Sequence, residues 1–133
     1  MPRELAGEAQ VLRWTVTALT TIEVPVLSLW FVNTYGGKGT KPSEALRDWA
    51  DMRLKQLDGW LTGRQFIATE DFTVADILMT HVLDAGTDEE MLKPYPNVLA
   101  YRARCTERPA WLTFFSHHAF TPIFAIRAML DER

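Results

Sequence analysis

The sequence is poor in several features that mark particular classes of protein. It has a single cysteine, Cys105, which excludes an internal disulfide and fits a reducing cytosol. It has no run of basic residues, and its net charge of −3 makes a nucleic acid an unexpected partner. Its longest apolar run, residues 24–32, is too short to span a bilayer and contains Pro25 and Ser28. We therefore expect a cytoplasmic protein that binds neither nucleic acid nor a membrane.

Strand signals are also missing, because no segment shows the period-two alternation of a half-buried strand. An apolar fraction of 47% with five tryptophans is enough to build a core. A length of 133 residues suits one domain, which we place at 1–133. The sequence therefore predicts an all-α protein, a helical bundle of about five to six helices.

Apolar residues with helical spacing and the positions of proline and glycine predict the bounds of these helices. The first helix is expected at about 8–33, with a kink at Pro25. The second begins near Pro42 and ends at Gly63, and its buried face is expected to carry Leu46, Ala50, Leu54, Leu57 and Leu61. The third covers about 74–85 and has Gly86 as its stop. Further helices are expected to begin at the prolines at positions 96, 109 and 122.

The third helix has the most distinctive start. Thr73 is suited to the N-cap position, and Asp76 can reach back to the Thr73 amide and close a capping box. Phe72 and Ile77 have the spacing of a hydrophobic staple. Losing such a cap costs on the order of 1 kcal/mol, and more if the helix runs through the core. We expect Ile77, Leu78, Val82 and Ala85 to face inward, with neighbouring helices around them.

Four further segments accompany this cap: Leu57-Asp58-Gly59-Trp60-Leu61, Phe66-Ile67-Ala68, Tyr95-Pro96-Asn97-Val98 and Arg108-Pro109-Ala110-Trp111. Together with residues 72–77 they resemble the all-helical C-terminal domain of cytosolic glutathione transferases. The resemblance covers about 9–111. One departure is Thr69-Glu70, because the family usually has a glycine just before the acidic residue at this point.

The resemblance implies where substrate would bind, because the long first helix of this domain lines the active-site cleft in that family. One polar stripe stands on the otherwise apolar first helix: Arg13, Thr17, Thr20 and Thr21. Small hydroxylated residues leave room for a substrate and offer donors, and Arg13 would favour a carboxylate. The alternative is that these threonines are tolerated at a contact between helices.

Other side chains are weaker candidates for substrate binding. Trp14 either stacks on an aromatic substrate or packs in the core. His81 lies on the third helix, and Phe115 belongs to an aromatic patch that would form a lid over the cleft. No metal site is expected, because His117 and His118 would point about 100° apart on a helix.

The resemblance also implies that a functional part is missing. In glutathione transferases, a thioredoxin-like N-terminal domain of roughly 80 residues holds glutathione and activates its thiol. The segment before Ala9 is too short for such a domain. We therefore assign no catalytic residue and no cofactor to this chain, and expect glutathione only as co-substrate of a longer parent.

Three functions stay open at this point. In the first, the chain is the substrate-side half of a glutathione transferase that acts on hydrophobic small molecules, and it is inactive alone. Alternatively it is a non-catalytic module for protein binding and assembly, or a relic without a ligand. Because the faces that would meet the missing domain are apolar, we expect the chain to form a homodimer.

Overall fold

The computed structural model describes residues 4–117, and their side chains as far as Thr113. All regular elements in this range are helices, which confirms the predicted all-α bundle. The helices are α1 Leu5–Thr34, α2 Lys41–Leu61, α3 Val74–Gly86, α4 Glu89–Leu92, α5 Pro96–Thr106 and α6 Pro109–His117. The helix predicted to begin at Pro122 lies outside the described residues.

Helix α1 changes its winding in the middle. It is α-helical over Leu5–Thr17, π-helical over Ala18–Ile22 and α-helical again over Glu23–Thr34. The π turn lies just before Pro25, whose ring crowds the carbonyl of Thr21 four residues earlier and which has no N–H to donate. The irregularity expected at Pro25 therefore takes the form of a wider turn before it.

Helix α1 is also more apolar along its length than its longest uninterrupted run suggests. Its 30 residues are long and apolar enough to cross a membrane by length and composition. Polar residues spaced along α1 divide its apolar residues into short runs, so the longest run understates how apolar the whole helix is. In the structure α1 packs against α2 and α3 as part of the bundle, and 28% of its most apolar 18-residue window is buried.

Helices α1 and α2 are paired along their length. At one end the Ser43 hydroxyl donates to Asn33 Oδ1 at 2.6 Å, and at the other the ring centroids of Trp14 and Trp60 are 4.9 Å apart. Four of the five residues predicted for the inner face of α2 are buried, Ala50 and the leucines at 54, 57 and 61, and Leu46 is partly buried against the core. Gly63, with φ of +70°, reverses the chain after α2 as expected.

The central helix α3 presents a different face to the core from the one predicted. Ile77 is 47% exposed, and Leu78 and Ala85 are only partly buried. Val82 is buried as predicted, and the other buried positions are Ala75, Asp76, Met79, Thr80, Leu83 and Gly86. The cap explains the difference, because it turns Asp76 inward and Met79, Thr80 and Leu83 follow it on the same face. The prediction followed apolarity alone and placed Ile77 inside, which is wrong.

The capping box at the start of α3 is present, and its carboxylate does more than cap. Asp76 is fully buried, and one of its oxygens accepts from the Thr73 N–H at 2.8 Å and the Thr73 hydroxyl at 3.2 Å. The other oxygen accepts from the Ile67 N–H at 2.8 Å and the Tyr101 hydroxyl at 2.9 Å. Burial and the adjacent carboxylate raise the pKa of Tyr101, so the phenol stays a donor.

The staple residues have other partners than those predicted. Phe72 packs edge-on against Phe66, with ring centroids 5.5 Å apart, and the guanidinium carbon of Arg108 lies 3.9 Å from the centre of the Phe72 ring. Ile77 is turned outward, as described above. The loop between α2 and α3 is therefore anchored by contacts between aromatic rings and by the Asp76 carboxylate.

A second carboxylate connects the end of α2 to the start of α5. Asp58 accepts from the backbone N–H groups of Asn97 at 2.8 Å and Val98 at 3.1 Å, and from the Asn97 amide side chain at 3.2 Å. These N–H groups belong to the first turn of α5, which begins at Pro96. N–H groups in the first turn of a helix have no acceptor within the helix itself. Asp58 therefore caps α5 from a neighbouring helix.

Gly86 is the last residue of α3, and its importance lies in close packing. A Cβ atom at this position would lie 2.3 Å from Cγ1 of Val26 on α1. The sequence predicted a helix stop here. The structure places the helix end one residue later than expected and requires glycine because α1 and α3 approach closely.

We expect Asp76→Asn to destabilise the protein by about 3 kcal/mol. The asparagine side chain keeps one acceptor oxygen. Its NH2 group would face N–H and O–H donors that are hydrogen-bonded to the carboxylate in the unaltered protein. Asp48→Asn, on the exposed side of α2, is the control and should change stability by less than about 0.5 kcal/mol. Urea denaturation measures both, and equal stability of the two variants would contradict the role given to Asp76.

Gly86→Ala should destabilise the protein by about 1 to 3 kcal/mol through overpacking against Val26. Gly59→Ala is the matched control, since nothing lies within 4 Å of a Cβ there and alanine favours the helix interior by up to about 1 kcal/mol. Combining Gly86→Ala with Val26→Ala should cost less than the sum of the two single changes. Thermal denaturation measures these changes in stability. If the change in the double variant equals the sum of the two single changes, residues 86 and 26 are not in contact.

Candidate functional site

The predicted polar stripe lies in the middle of α1 and includes its π turn. Thr20 is exposed, whereas Thr17 and Thr21 are half-buried. The Thr20 hydroxyl donates to the Val16 carbonyl oxygen at 2.8 Å and lies 3.5 Å from the Thr21 hydroxyl oxygen. Both Thr20 and Thr21 belong to the π segment Ala18–Ile22, a type of turn that is common at functional sites.

Arg13 begins the stripe but is directed to an aromatic pair. Its guanidinium carbon lies 5.7 Å from the ring centre of Trp14 and 5.8 Å from that of Trp60 on α2. Trp14 is 7% exposed and packs on Trp60, so its ring belongs to the contact between α1 and α2. Trp60 donates its indole N–H to the Ile67 carbonyl at 2.8 Å, which ties this pair to the loop before α3.

His81 is exposed on α3, on the same face as Val74 and Ile77, which are 45% and 47% exposed. Helix α1, which packs against α3, also exposes apolar side chains: Leu12, Val16, Leu19 and Val24. We call these two sets the exposed apolar faces. Phe115 is on α6, but its side chain lies outside the described residues. The structure thus places His81 on α3, which packs against the helix of the polar stripe, whereas Phe115 belongs to α6.

Groups that would supply a nucleophile or a metal site are not found in the part of the chain that the structure describes. Cys105 is buried, and this burial raises the pKa of its thiol, which disfavours the reactive thiolate. No group of three His, Cys, Asp or Glu side chains among the described residues is arranged to hold a metal ion.

An open depression of about 480 Å³ lies between the ends of α3, α5 and α6. Its lining residues are Asp84, Thr106, Glu107, Trp111 and Leu112. None of the predicted substrate residues whose side chains the structure describes is among them. Sequence reasoning also missed the contact of Arg13 with Trp60, and no local signal marks it, because the two residues are far apart in the chain.

The described residues thus form an all-helical domain with a capped central helix and a long helix that exposes apolar side chains. Residues 19–109 match the family model described as glutathione S-transferase, C-terminal domain. The chain therefore belongs to this family, as the segments around the cap predicted.

Two solved structures place the chain among larger proteins. It is similar to the GST-like domain of elongation factor 1-gamma from Saccharomyces cerevisiae, with a TM-score of 0.74 and 17% identity over 86% of this chain and 55% of that one. It is also similar to a glutathione transferase family member from Pseudomonas fluorescens with two glutathione molecules bound. That match has a TM-score of 0.73 and 25% identity over 85% of this chain and 54% of that one. The chain thus spans about half the length of either structure, and comparison with curated proteins gives no match.

Proposed function

We propose that this chain is the substrate-side half of a glutathione transferase, and that a thioredoxin-like domain supplies the glutathione-binding half. Family membership and the half-length match to a relative with glutathione bound support this proposal. The observation that carries it is the position of the threonine stripe beside the exposed apolar faces of α1 and α3. An apolar wall with a few polar groups suits a hydrophobic substrate with a polar head group.

In the joined enzyme, the sulfur of the glutathione thiolate would form a bond to an electrophilic carbon of the substrate, and the leaving group on that carbon would depart with its bonding electron pair, as chloride does from chlorodinitrobenzene. The residues of this chain bind and orient that electrophile and exclude water from it. Thr20 already donates its proton to the Val16 carbonyl, so its oxygen lone pairs are available to accept from a substrate. Thr17 and Thr21 add polar contacts beside it, and Arg13 attracts a carboxylate. Trp14, His81 and Phe115 complete the substrate wall in this proposal.

The same surfaces account for the partners that we propose. Exposed apolar side chains on α1 and α3 would be covered by the thioredoxin-like domain and by a second copy of the protein. The protein is then a cytoplasmic homodimer that acts on hydrophobic electrophiles. The isolated chain has no group that activates a thiol among its described residues, and is inactive in this proposal.

Conjugation of glutathione to chlorodinitrobenzene tests the proposal. We expect no activity from this chain alone, and activity once it is preceded in the same reading frame by a thioredoxin-like domain. In the joined protein, Thr20→Val should raise the KM about fivefold for an electrophile that carries an N–H or O–H donor, by losing one polar contact with that substrate.

Thr34→Val is the matched control, because the Thr34 hydroxyl makes the same type of bond to the Trp30 carbonyl, at 2.8 Å, away from the stripe. It should leave KM unchanged. The proposal fails if the joined protein binds glutathione but conjugates none of a panel of electrophiles, or if both valine variants change KM equally.

A further inference from the structure

The loop between α2 and α3, residues 62–73, lies among several arginines. The guanidinium carbon of Arg64 is 4.0 Å from the ring centre of Trp60. Arg13 approaches the same ring from α1 at 5.8 Å. Because both carbons lie within 6 Å of one ring centre, two positive charges share a single indole. Such stacking on an aromatic face is favourable for each cation and restrains its position.

Two arginines from α5 and its end extend this arrangement. Arg104 donates from Nη2 to the carbonyl oxygens of Arg64 and Gln65, both at 3.3 Å. Arg108 stacks on Phe72, which packs against Phe66 in the same loop. A continuous set of contacts thus connects four exposed arginines: Arg13, Arg64, Arg104 and Arg108. We call this set the arginine band.

The charges of the arginine band are not neutralised within the structure. The ion pairs among the described residues join Lys93 to Glu90 and Arg102 to Asp84, and none includes a member of the band. Glu107 precedes Arg108 in the sequence, and Glu70 and Asp71 belong to the loop. None of their carboxylate oxygens lies within 4.0 Å of a nitrogen of the arginine band, the distance of an ion pair. Stacked guanidinium groups without carboxylate partners keep N–H donors available for an incoming anion.

We propose that the arginine band binds an acidic segment of a partner protein. Separate carboxylates on a peptide can each meet a guanidinium as a planar, charge-assisted pair. A nucleic acid fits less well, because its closely spaced phosphates would also face the carboxylates of Glu70, Asp71 and Glu107. This surface goes beyond the proposed function, since Arg64, Arg104 and Arg108 take no part in the substrate wall.

Fluorescence anisotropy of a labelled decaglutamate peptide, titrated with the full chain at low ionic strength, tests the proposal. We expect saturable binding that weakens as salt is added. The double variant Arg64→Gln/Arg108→Gln should weaken binding about tenfold. The control, Arg47→Gln/Lys55→Gln, removes the same charge from exposed positions on α2 and should weaken binding less than twofold. Circular dichroism verifies that both double variants fold.

Three results would overturn the proposal. The peptide fails to bind, the control weakens binding as much as the band variant, or labelled decathymidylate binds as tightly as the peptide. None of these depends on conjugation activity, because Arg13 is left unchanged and no glutathione is present. Failure here is therefore distinct from failure of the proposed function.

Discussion

The buried carboxylate of Asp76 is the interaction on which the rest of the domain depends. It accepts hydrogen bonds from the Ile67 N–H in the preceding loop, from Thr73 at the N-cap and from Tyr101 on α5. A buried charge costs several kcal/mol unless its oxygens are hydrogen-bonded, so all of these donors have to be in place together. The carboxylate therefore fixes the loop, the start of α3 and the neighbouring helix in one geometry.

That geometry decides which surfaces the domain leaves open. With Asp76 inward, Ile77 and His81 face outward, while the far end of α3 meets α1 where Gly86 contacts Val26. Both helices are then held side by side next to the π turn that carries Thr20. The same loop places Arg64 over Trp60. One buried group thus positions the proposed substrate wall on one side of α3 and supports the arginine band at its start.

Features that depend on nearby residues could be read from the sequence, and those that depend on distant ones could not. The capping box joins residues three apart, and the inner face of α2 follows from helical spacing, so both are confirmed. The face of α3 was mispredicted because a buried charge outweighed the apolarity of Ile77. Contacts between segments that are distant along the chain, such as those of Asp58 with Asn97 and Arg13 with Trp60, leave no periodic signal.

Native-state hydrogen exchange of the Ile67 and Thr73 amides tests most directly whether the Asp76 carboxylate holds the domain together. If it does, both amides exchange only when the whole domain unfolds, with the same opening free energy as the core amides of α3. Exchange of the Ile67 amide as fast as that of the exposed Glu70 in the same loop would contradict this. It would mean that the loop opens freely while the rest of the bundle stays folded.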